Sequence, residues 1–269
     1  MVQDRKLEDR TAIVIGAGQT PGETVGNGRA VSRTYARHGA RVLAVDLDLE
    51  RAEETAASIR DEGGTAEAWQ ADATSEESLA ATMQACVDHW GRLDILHNNV
   101  GVSLTGGDAV VTEITTEAFD RVTAINLRSM VLACKHALPI MREQRSGVIV
   151  NISSLAAIID YPYIAYQTSK AGVVSLTRNV AIANATYGIR SNAILPGLVD
   201  TPMAIESRVA RGVDRGEVRS ERDAQVPLHG RMCTAWDVAN AALFLASDDA
   251  AFITGVALPV DGGQALKRG

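Results

Sequence analysis

Between Thr11 and Asp46 the chain passes through a short apolar run, a loop crowded with glycine, an amphipathic segment and a second apolar run that stops on an acid. No other stretch limits the fold so tightly. Thr11 to Ile15, TAIVI, is β-branched and apolar, the composition of a parallel strand buried on both faces. The loop Gly16-Ala-Gly-Gln-Thr-Pro-Gly-Glu-Thr-Val-Gly-Asn-Gly28 leads into RAVSRTYARHG, where Ala30, Val31, Tyr35 and Ala36 fall at helical spacing. Strand, glycine loop and helix in that order aim free backbone N–H groups and a positive helix end at one point, which suits a pyrophosphate. The next strand, Arg41 to Val45, delivers Asp46 about 20 residues beyond the glycines, where a carboxylate can accept hydrogen bonds from ribose hydroxyls. A 2′-phosphate would be repelled there, and Leu47 offers no cation, so the expected cofactor is NAD rather than NADP. Arg29 and Arg41 are the two cations whose folding back would weaken that expectation.

The pattern repeats downstream. Leu49 to Glu62, with Ala52, Ala56 and Ile59 on one side and many charges on the other, reads as an amphipathic crossover helix. TAEAWQAD is a third strand reaching Asp72-Ala73, with Asp72 placed either to bond an adenine amino group or to cap the helix that starts near Ser75. That helix carries Leu79, Met83 and Val87, and RLDILHNNVG is a fourth strand whose Asn98, Asn99 and Gly101 form a turn. His97 is a lone strand histidine, expected to be packed rather than catalytic. Phe119 to Met141 is read as one long helix with Val122, Ile125, Leu132 and Leu138, carrying Asn126 on one face. VIVNIS and GIRSNAILPG are further strands, Trp236 to Ser247 a last helix and Gly255 to Val260 a last strand. Alternating strands and helices imply an α/β, doubly wound parallel sheet with helices on both faces.

The chain has 269 residues, 46% of them hydrophobic, and no linker divides it, so one domain over 1–269 is expected. MVQDRKLEDR has no apolar signal core and no stretch approaches ~18 apolar residues, which points to a soluble, cytoplasmic protein without membrane contact. Cys86, Cys134 and Cys233 are odd in number and far apart, fit a reducing compartment and read as small buried hydrophobes; no metal site is expected. A net charge of −7 without a basic stripe argues against a nucleic-acid partner.

The chemistry is expected between Asn151 and Lys170, NISSLAAIIDYPYIAYQTSK. Tyr166 and Lys170 are four apart and share a helix face, so an ammonium group one turn from a phenol would favour the phenolate. Shifting a phenol from about 10 by about three units takes about 4 kcal/mol, within reach of one close charge in a partly dry cleft. Ser154, one loop after the strand, can hold a substrate oxygen beside the tyrosine. Taken alone the pair also suits a half-buried aromatic and a solvated lysine.

Taken together, the loop at Gly16 to Gly28, Asp72-Ala73, NNVG at 98–101, Asn126 in AINLRS, Ser154, the Tyr166/Lys170 pair and PGLVDTPM at 196–203 resemble the short-chain dehydrogenase/reductase family over nearly the whole chain. The resemblance implies a Rossmann-type fold and hydride transfer between a nicotinamide and the carbon of a small-molecule alcohol or ketone. It implies Tyr166 as general acid/base, Lys170 lowering its pKa and binding the nicotinamide ribose, Ser154 orienting the substrate oxygen and Asn126 holding a water that links Lys170 to solvent. It places cofactor contacts at Gly16, Gly26, Asn27, Gly28, Asp46 and Leu47 on the adenosine side, and at Asp72, Ala73, Asn99 and Gly101 in the middle. On the nicotinamide side it places them at Tyr166, Lys170, Pro196, Gly197, Val199 and Thr201. Thr201 would bond the carboxamide or, alternatively, cap the next helix. A homotetramer with the last strand at an interface follows from the same resemblance.

Three departures stand out. Nine residues separate Gly16 from Gly26 where the family has three, so the loop is expected to fold over the pyrophosphate, with Gly26 and Gly28 in close approach and Gly18 and Gly22 as hinges. Ile15 stands where a threonine is common, removing one hydrogen bond to the loop. Ser154 lies twelve residues before Tyr166, one fewer than the family spacing, which leaves Ser153 as an alternative. The stretch 203–225, with Arg208, Arg211, Arg215, Arg219 and Arg222 among Glu206, Asp214, Glu217, Glu221 and Asp223, is expected to be a substrate lid. Its arginines suit either an acidic substrate or, as the favoured expectation, a solvated mobile flap. Two other functions share parts of this pattern: a dinucleotide sensor without turnover, and a sugar-nucleotide epimerase, for whose larger carboxyl-terminal domain the chain has little room.

Overall fold

In β1 (Thr11–Ile15), Ala12 and Val14 enter one hydrophobic core while Ile13 and Ile15 enter another. The two-residue period of a strand thus feeds both faces of the sheet. The computed structural model describes residues 5–267. The chain continues through α1 (Asn27–Arg37), β2 (Arg41–Asp46), α2 (Leu49–Asp61), β3 (Thr65–Gln70), α3 (Glu76–Trp90) and β4 (Ile95–Asn98). It then forms α4 (Thr116–Thr123), α5 (Ser129–Gln144), β5 (Gly147–Ile152), α6 (Ile164–Asn184) and β6 (Ile189–Pro196). The last part comprises β7 (Val199–Asp200), α7 (Pro202–Val209), α8 (Arg215–Asp223), β8 (Cys233–Thr234), α9 (Ala235–Ala246) and β9 (Ala257–Val260).

Seven strands pair in the order β3-β2-β1-β4-β5-β6-β9, all parallel. In β2 the partition seen in β1 recurs: Val42 and Ala44 face the core under α1 and α9, Leu43 and Val45 the core under α3 and α5. Each buried Val, Leu or Ile contributes about 1.5–3 kcal/mol, so a one-residue register slip in any of these strands would exchange both faces at prohibitive cost. The strand order reverses between β1 and β4, and a crevice at the carboxyl ends of the strands follows at that point. The doubly wound, single-domain α/β architecture expected from the alternation is the one observed.

Several local expectations change. The helix read over 119–141 starts earlier, at Thr116, and is interrupted: α4 runs into a π-helical turn at Ala124–Arg128 before α5 resumes. A π turn inserts where side chains must be re-aimed, and this one contains Asn126. The buried face is Ala118, Val122, Asn126, Ser129, Met130, Ala133, Ala137 and Met141, while Leu132 and Leu138 are only half-buried. Asp72 does not cap α3; Ser75 does, accepting the Ser78 N–H at 3.2 Å, while the exposed Asp72 carboxylate takes the N–H and hydroxyl of Thr74. The β7–β8 bridge was not expected, and two residues per strand give no period to read. Residues 202–223 are folded as α7 and α8 with Ile205, Val218 and Met232 in a small apolar cluster of their own.

Cys86 and Cys134 are buried and Cys233 half-buried, and burial pushes their thiols up to about 12, 12 and 11. His97 is fully buried, its Nδ1 3.3 Å from the Tyr35 hydroxyl, and burial lowers its pKa to about 3. It packs, as expected, and takes no part in the site. Among the described residues no helix is long and apolar enough to cross a membrane, and no group of three His, Cys, Asp or Glu side chains is gathered as for a metal ion.

Candidate active site

At the mouth of α1 the glycine loop folds back on the sheet. A Cβ on Gly28 would stand 1.9 Å from the Gly16 carbonyl oxygen, and Gly16 itself has φ +83°. Gly16 and Gly28 are therefore pressed together within the loop, an approach that a side chain on Gly28 would block. Gly18 and Gly22 are also closely packed: a Cβ on Gly18 would meet the Asp46 carboxylate at 2.6 Å, and one on Gly22 would meet Pro202 at 2.9 Å. Gly26 is the N-cap of α1, with its N–H donated to Gln19 Oε1 at 2.9 Å and no protein atom nearer than 3.8 Å to an added Cβ. Gln19 thus braces the enlarged loop. The N-terminus of α1 has no side-chain cap and no acid in its first turn, and Asn27 Oδ1 is buried without a partner. Unspent donors, a helix dipole, open space at Gly26 and an orphaned acceptor together fit a dinucleotide phosphate and its ribose.

Asp46 ends β2 beside this loop. Its Oδ2 accepts the Gly18 N–H at 2.9 Å and Oδ1 the Asp48 N–H at 3.2 Å, which fixes the carboxylate and leaves lone pairs on both oxygens. Arg29 is turned to Thr55 and Glu54, and Arg41 to the Asp9 carbonyl, so neither offsets Asp46. Arg51, which no local sequence signal marks, is the cation that borders Gly18, and its Nε lies 3.1 Å from Asp48. Leu47 is 65% exposed at the rim, Asp72 is exposed and Ala73 buried.

From β4 the chain turns toward α6. Asn99 Nδ2 donates to the Gly16 carbonyl at 2.9 Å, tying this turn to the glycine loop rather than stabilising it internally. Gly101 lies against Lys170: a Cβ there would stand 3.0 Å from Nζ. Asn126, fully buried, accepts the Val102 N–H at 2.8 Å and donates to the Val102 carbonyl at 2.8 Å and to Ser169 Oγ at 3.1 Å. Both amide hydrogens are spent, so a water relay at Asn126 would have to use its main-chain carbonyl or the remaining lone pair of Oδ1.

Tyr166 sits in the first turn of α6, whose N-cap Tyr163 makes no side-chain bond to it. Asp108 supplies the cap from a distance, Oδ1 taking the Ala165 N–H at 3.0 Å and Oδ2 the Tyr166 N–H at 2.8 Å. No local sequence signal marks Asp108, because the bond spans 58 residues. Ser153 is buried and donates to the Lys170 carbonyl at 2.7 Å, so it braces the helix, while Ser154 hydrogen-bonds the Tyr166 phenol. Lys170 Nζ donates to the Ile152 carbonyl at 2.9 Å and lies 5.7 Å from the Tyr166 ring centroid.

The acidified tyrosine expected from the spacing is not what the structure shows. Burial pushes the Tyr166 phenol up to about 12, the Ser154 bond opposing it only in part, and burial lowers Lys170 to about 7. Lys170 spends its nearest donor on a carbonyl, so its charge does not offset the drying of the phenol. Tyr161, a further residue the sequence did not single out, packs its ring 5.4 Å from that of Tyr166 and places its hydroxyl 3.5 Å from Ser103 Oγ.

Beyond β6, Pro196 ends the strand and Gly197 packs on Asp261, where a Cβ would meet the Asp261 side chain at 2.8 Å. Val199 is buried in the β7–β8 bridge. Thr201 is the N-cap of α7, accepting the Ala204 N–H at 3.4 Å, and its hydroxyl hydrogen is left to donate elsewhere. The arrangement therefore gathers a phenol, a hydroxyl and an amine at the carboxyl ends of β4 to β6, next to the uncapped N-terminus of α1. Such a constellation can hold an oxygen and exchange its proton while a neighbouring carbon reacts.

A family model described as Enoyl-(Acyl carrier protein) reductase matches residues 23–265. Cis-4-hydroxycyclohexanecarboxylate dehydrogenase of Sinomonas cyclohexanicum is 39% identical, covering 95% of this chain and 96% of its own length. 2-(R)-hydroxypropyl-CoM dehydrogenase of Xanthobacter autotrophicus is 38% identical, covering 94% and 97%. The crystal structure of levodione reductase superposes with a TM-score of 0.90 at 33% identity, over 97% of this chain and 100% of that one.

Proposed function

Because the chain belongs to the short-chain dehydrogenase/reductase family and is an oxidoreductase of CH–OH groups that uses a nicotinamide dinucleotide, we propose that it interconverts a secondary alcohol and a ketone with NAD, Tyr166 exchanging the proton. The observation that carries the proposal is the convergence of Tyr166, Ser154 and Lys170 on the side of the cleft that Asn99 and Gly101 join to the glycine loop. The relatives named above act on hydroxyl or carbonyl carbons, in keeping with it.

When bound, the nicotinamide supplies the hydride acceptor in oxidation and the donor in reduction. Ser154 holds the substrate oxygen, and Tyr166 takes the hydroxyl proton as the alcohol is oxidised or returns it as the ketone is reduced. Lys170 Nζ, which spends one donor on the Ile152 carbonyl, has two unspent N–H donors set to hold ribose hydroxyls. Gly16, Gly28 and the N-terminus of α1 would hold the pyrophosphate, with Asp46 on the adenosine ribose. Residues 203–225 close over the substrate as a lid. We also infer a cytoplasmic homotetramer, for which exposed Ile182, Phe252 and Leu266 offer apolar contact surface.

The test is turnover of NAD with a panel of secondary alcohols, followed by nicotinamide absorbance. We expect Tyr166→Phe to lower kcat by at least about 10³-fold with NAD affinity unchanged. Undiminished turnover in that variant would remove Tyr166 from the mechanism, and NAD binding without turnover across the panel would favour a sensor. For the cofactor, Asp46→Ser should raise the NADP/NAD ratio of kcat/KM by about tenfold or more, as the repulsion of a 2′-phosphate is removed. A wild-type preference for NADP would overturn the assignment of NAD.

A further inference from the structure

Gln19 lies within the nine-residue interval between Gly16 and Gly26, and its half-buried side chain turns back on the N-terminus of α1. Its Oε1 accepts the Gly26 N–H at 2.9 Å, and its Cβ, Cγ and Oε1 are the atoms nearest to a Cβ built on Gly26, at 3.8 to 3.9 Å. The bond fixes which way the amide faces: a backbone N–H calls for the carbonyl end, and the NH2 end is left over. Oxygen and nitrogen of one amide are about 2.2 Å apart by covalent geometry, which keeps Nε2 within about 5 Å of the Gly26 nitrogen. Among the described residues Nε2 has no hydrogen-bond partner, and neither has Asn27 Oδ1, the buried acceptor beside Gly26 in the chain.

The charges around the loop sharpen the point. Between Gly16 and Gly28 there is no lysine or arginine, the one charged residue is Glu23, and Arg29 is engaged with Glu54 and Thr55. The loop therefore offers a diphosphate only neutral donors, added to the positive end of α1. Gln19 removes one of these by occupying the Gly26 N–H, yet it carries two N–H donors of its own at nearly the same place. An amide that accepts a hydrogen bond is polarised by it, which strengthens its own N–H groups as donors.

We propose, resting on the reading above that puts the pyrophosphate at the N-terminus of α1, that Gln19 is a further cofactor-binding residue. Its amide bridges protein and ligand, taking the Gly26 N–H on its oxygen and donating from Nε2 to a non-bridging oxygen of the pyrophosphate. The side chain thus returns to the ligand a donor in place of the one it takes from the loop, and the enlarged loop keeps its phosphate contact without an added cation.

The test titrates the full chain calorimetrically with two probes: ADP-ribose, which carries the pyrophosphate without the nicotinamide, and adenosine, which lacks both. The wild type should bind ADP-ribose at least about tenfold tighter than adenosine. Gln19→Glu keeps an oxygen for the Gly26 N–H but loses the donor and turns a negative charge on the ligand. Its ADP-ribose affinity should fall about 30-fold or more, with adenosine changed by less than about twofold. Gln19→Met loses both functions but frees the Gly26 N–H, so ADP-ribose should weaken by only about three- to tenfold. In Gln19→Glu the loss should shrink several-fold from about pH 8 to about pH 5, as the introduced carboxyl begins to take a proton and regains a donor. A defect in loop shape alone would not follow pH in this way. Thermal unfolding verifies that both variants fold, and Gln19→Glu, which retains the brace on Gly26, decides the matter should Gln19→Met prove unstable. Equal loss of both probes would reduce Gln19 to a brace of the loop, and unchanged or tighter ADP-ribose binding in either variant would mean that its amide only competes for the Gly26 N–H. Each of these overturns the inference and leaves the pyrophosphate at α1. A wild type that binds adenosine as tightly as ADP-ribose removes the pyrophosphate from α1 itself, and the inference with it.

Discussion

Lys170, Ser153 and Asn126 are held from below by hydrogen bonds buried in the protein, to Ile152, to the Lys170 carbonyl and to Val102, whereas α7 and α8 above them are tied down by Glu23, Glu206, Arg215 and Arg219 at the surface. The first kind of bond is expensive to break, because an unpaired polar group would be left in a dry place. The second exchanges readily with water and salt. The floor of the site thus rests on bonds sealed from water, and the roof of α7 and α8 on bonds open to it.

The contrast is tested most severely at Lys170. With its pKa lowered by burial from 10.5 to about 7, Lys170 is neutral above that value in the folded protein but still protonated in the unfolded chain. Between pH 7 and 10.5 the unfolded state therefore binds more protons, and stability should rise with pH by about 1.4 kcal/mol per unit from this group. Below 7 its full penalty applies. Lys170→Met should accordingly be more stable than the wild type below pH 7, lose that advantage as pH rises, and have little turnover. Chemical denaturation across this range checks it, and a wild-type curve parallel to that of Lys170→Met would show that the amine is not strained by its position. The roof should show no such slope.

A smaller effect is expected at Asp108, the distant cap of α6. Asp108→Ala leaves the Ala165 and Tyr166 N–H groups without their acceptor, at a cost of about 1–2 kcal/mol. Because the same bond holds the backbone of Tyr166, kcat should fall about tenfold while KM changes less. Asp108→Asn, which keeps one acceptor oxygen, should recover part of both. A stability loss with unchanged kcat would confine Asp108 to the fold.

How much of this could be read in advance follows the same division. β1, the glycine loop, β2 and Asp46 were legible because strand period, glycine and a terminal acid are local signals, and Tyr166 with Lys170 because one helical turn joins them. Asp108, Tyr161 and Arg51 left no such mark: each acts on residues distant in sequence or through a side-chain direction that spacing does not encode. The glycines show the limit well. Their number signalled a tight loop, but which of them approach Gly16, Asp46 and Pro202 depends on how a nine-residue interval between Gly16 and Gly26 folds. The π turn at Asn126 was equally hidden, since the apolar face of 116–144 drifts by a single residue there. In 203–225, the even mix of acids and arginines concealed that, among the described residues, three cations, Arg208, Arg211 and Arg222, have no carboxylate at ion-pair distance.

The smallest expected effect lies on the roof itself, at Glu23. This residue sits in the enlarged glycine loop, is 59% exposed, and reaches Arg215 at 3.7 Å and Arg219 at 3.0 Å. It is thus the strap between the glycine loop and α8. Exposed pairs of this kind contribute little to folding, so Glu23→Gln should move Tm by less than about 2 °C. Its kinetic effect should be larger in proportion: with the strap neutralised, the closed roof is less favoured, and KM for the substrate should rise about two- to threefold while the chemical step at Tyr166 is untouched. Salt should mimic the substitution, because a Debye length of about 10 Å at 0.1 M shortens to about 3 Å at 1 M. The wild-type KM should therefore climb with salt toward that of Glu23→Gln, whose own KM should vary less over the same range. If the two proteins respond to salt alike, the roof is closed by its apolar cluster of Ile205, Val218 and Met232 rather than by charge, and floor and roof would then differ in degree only.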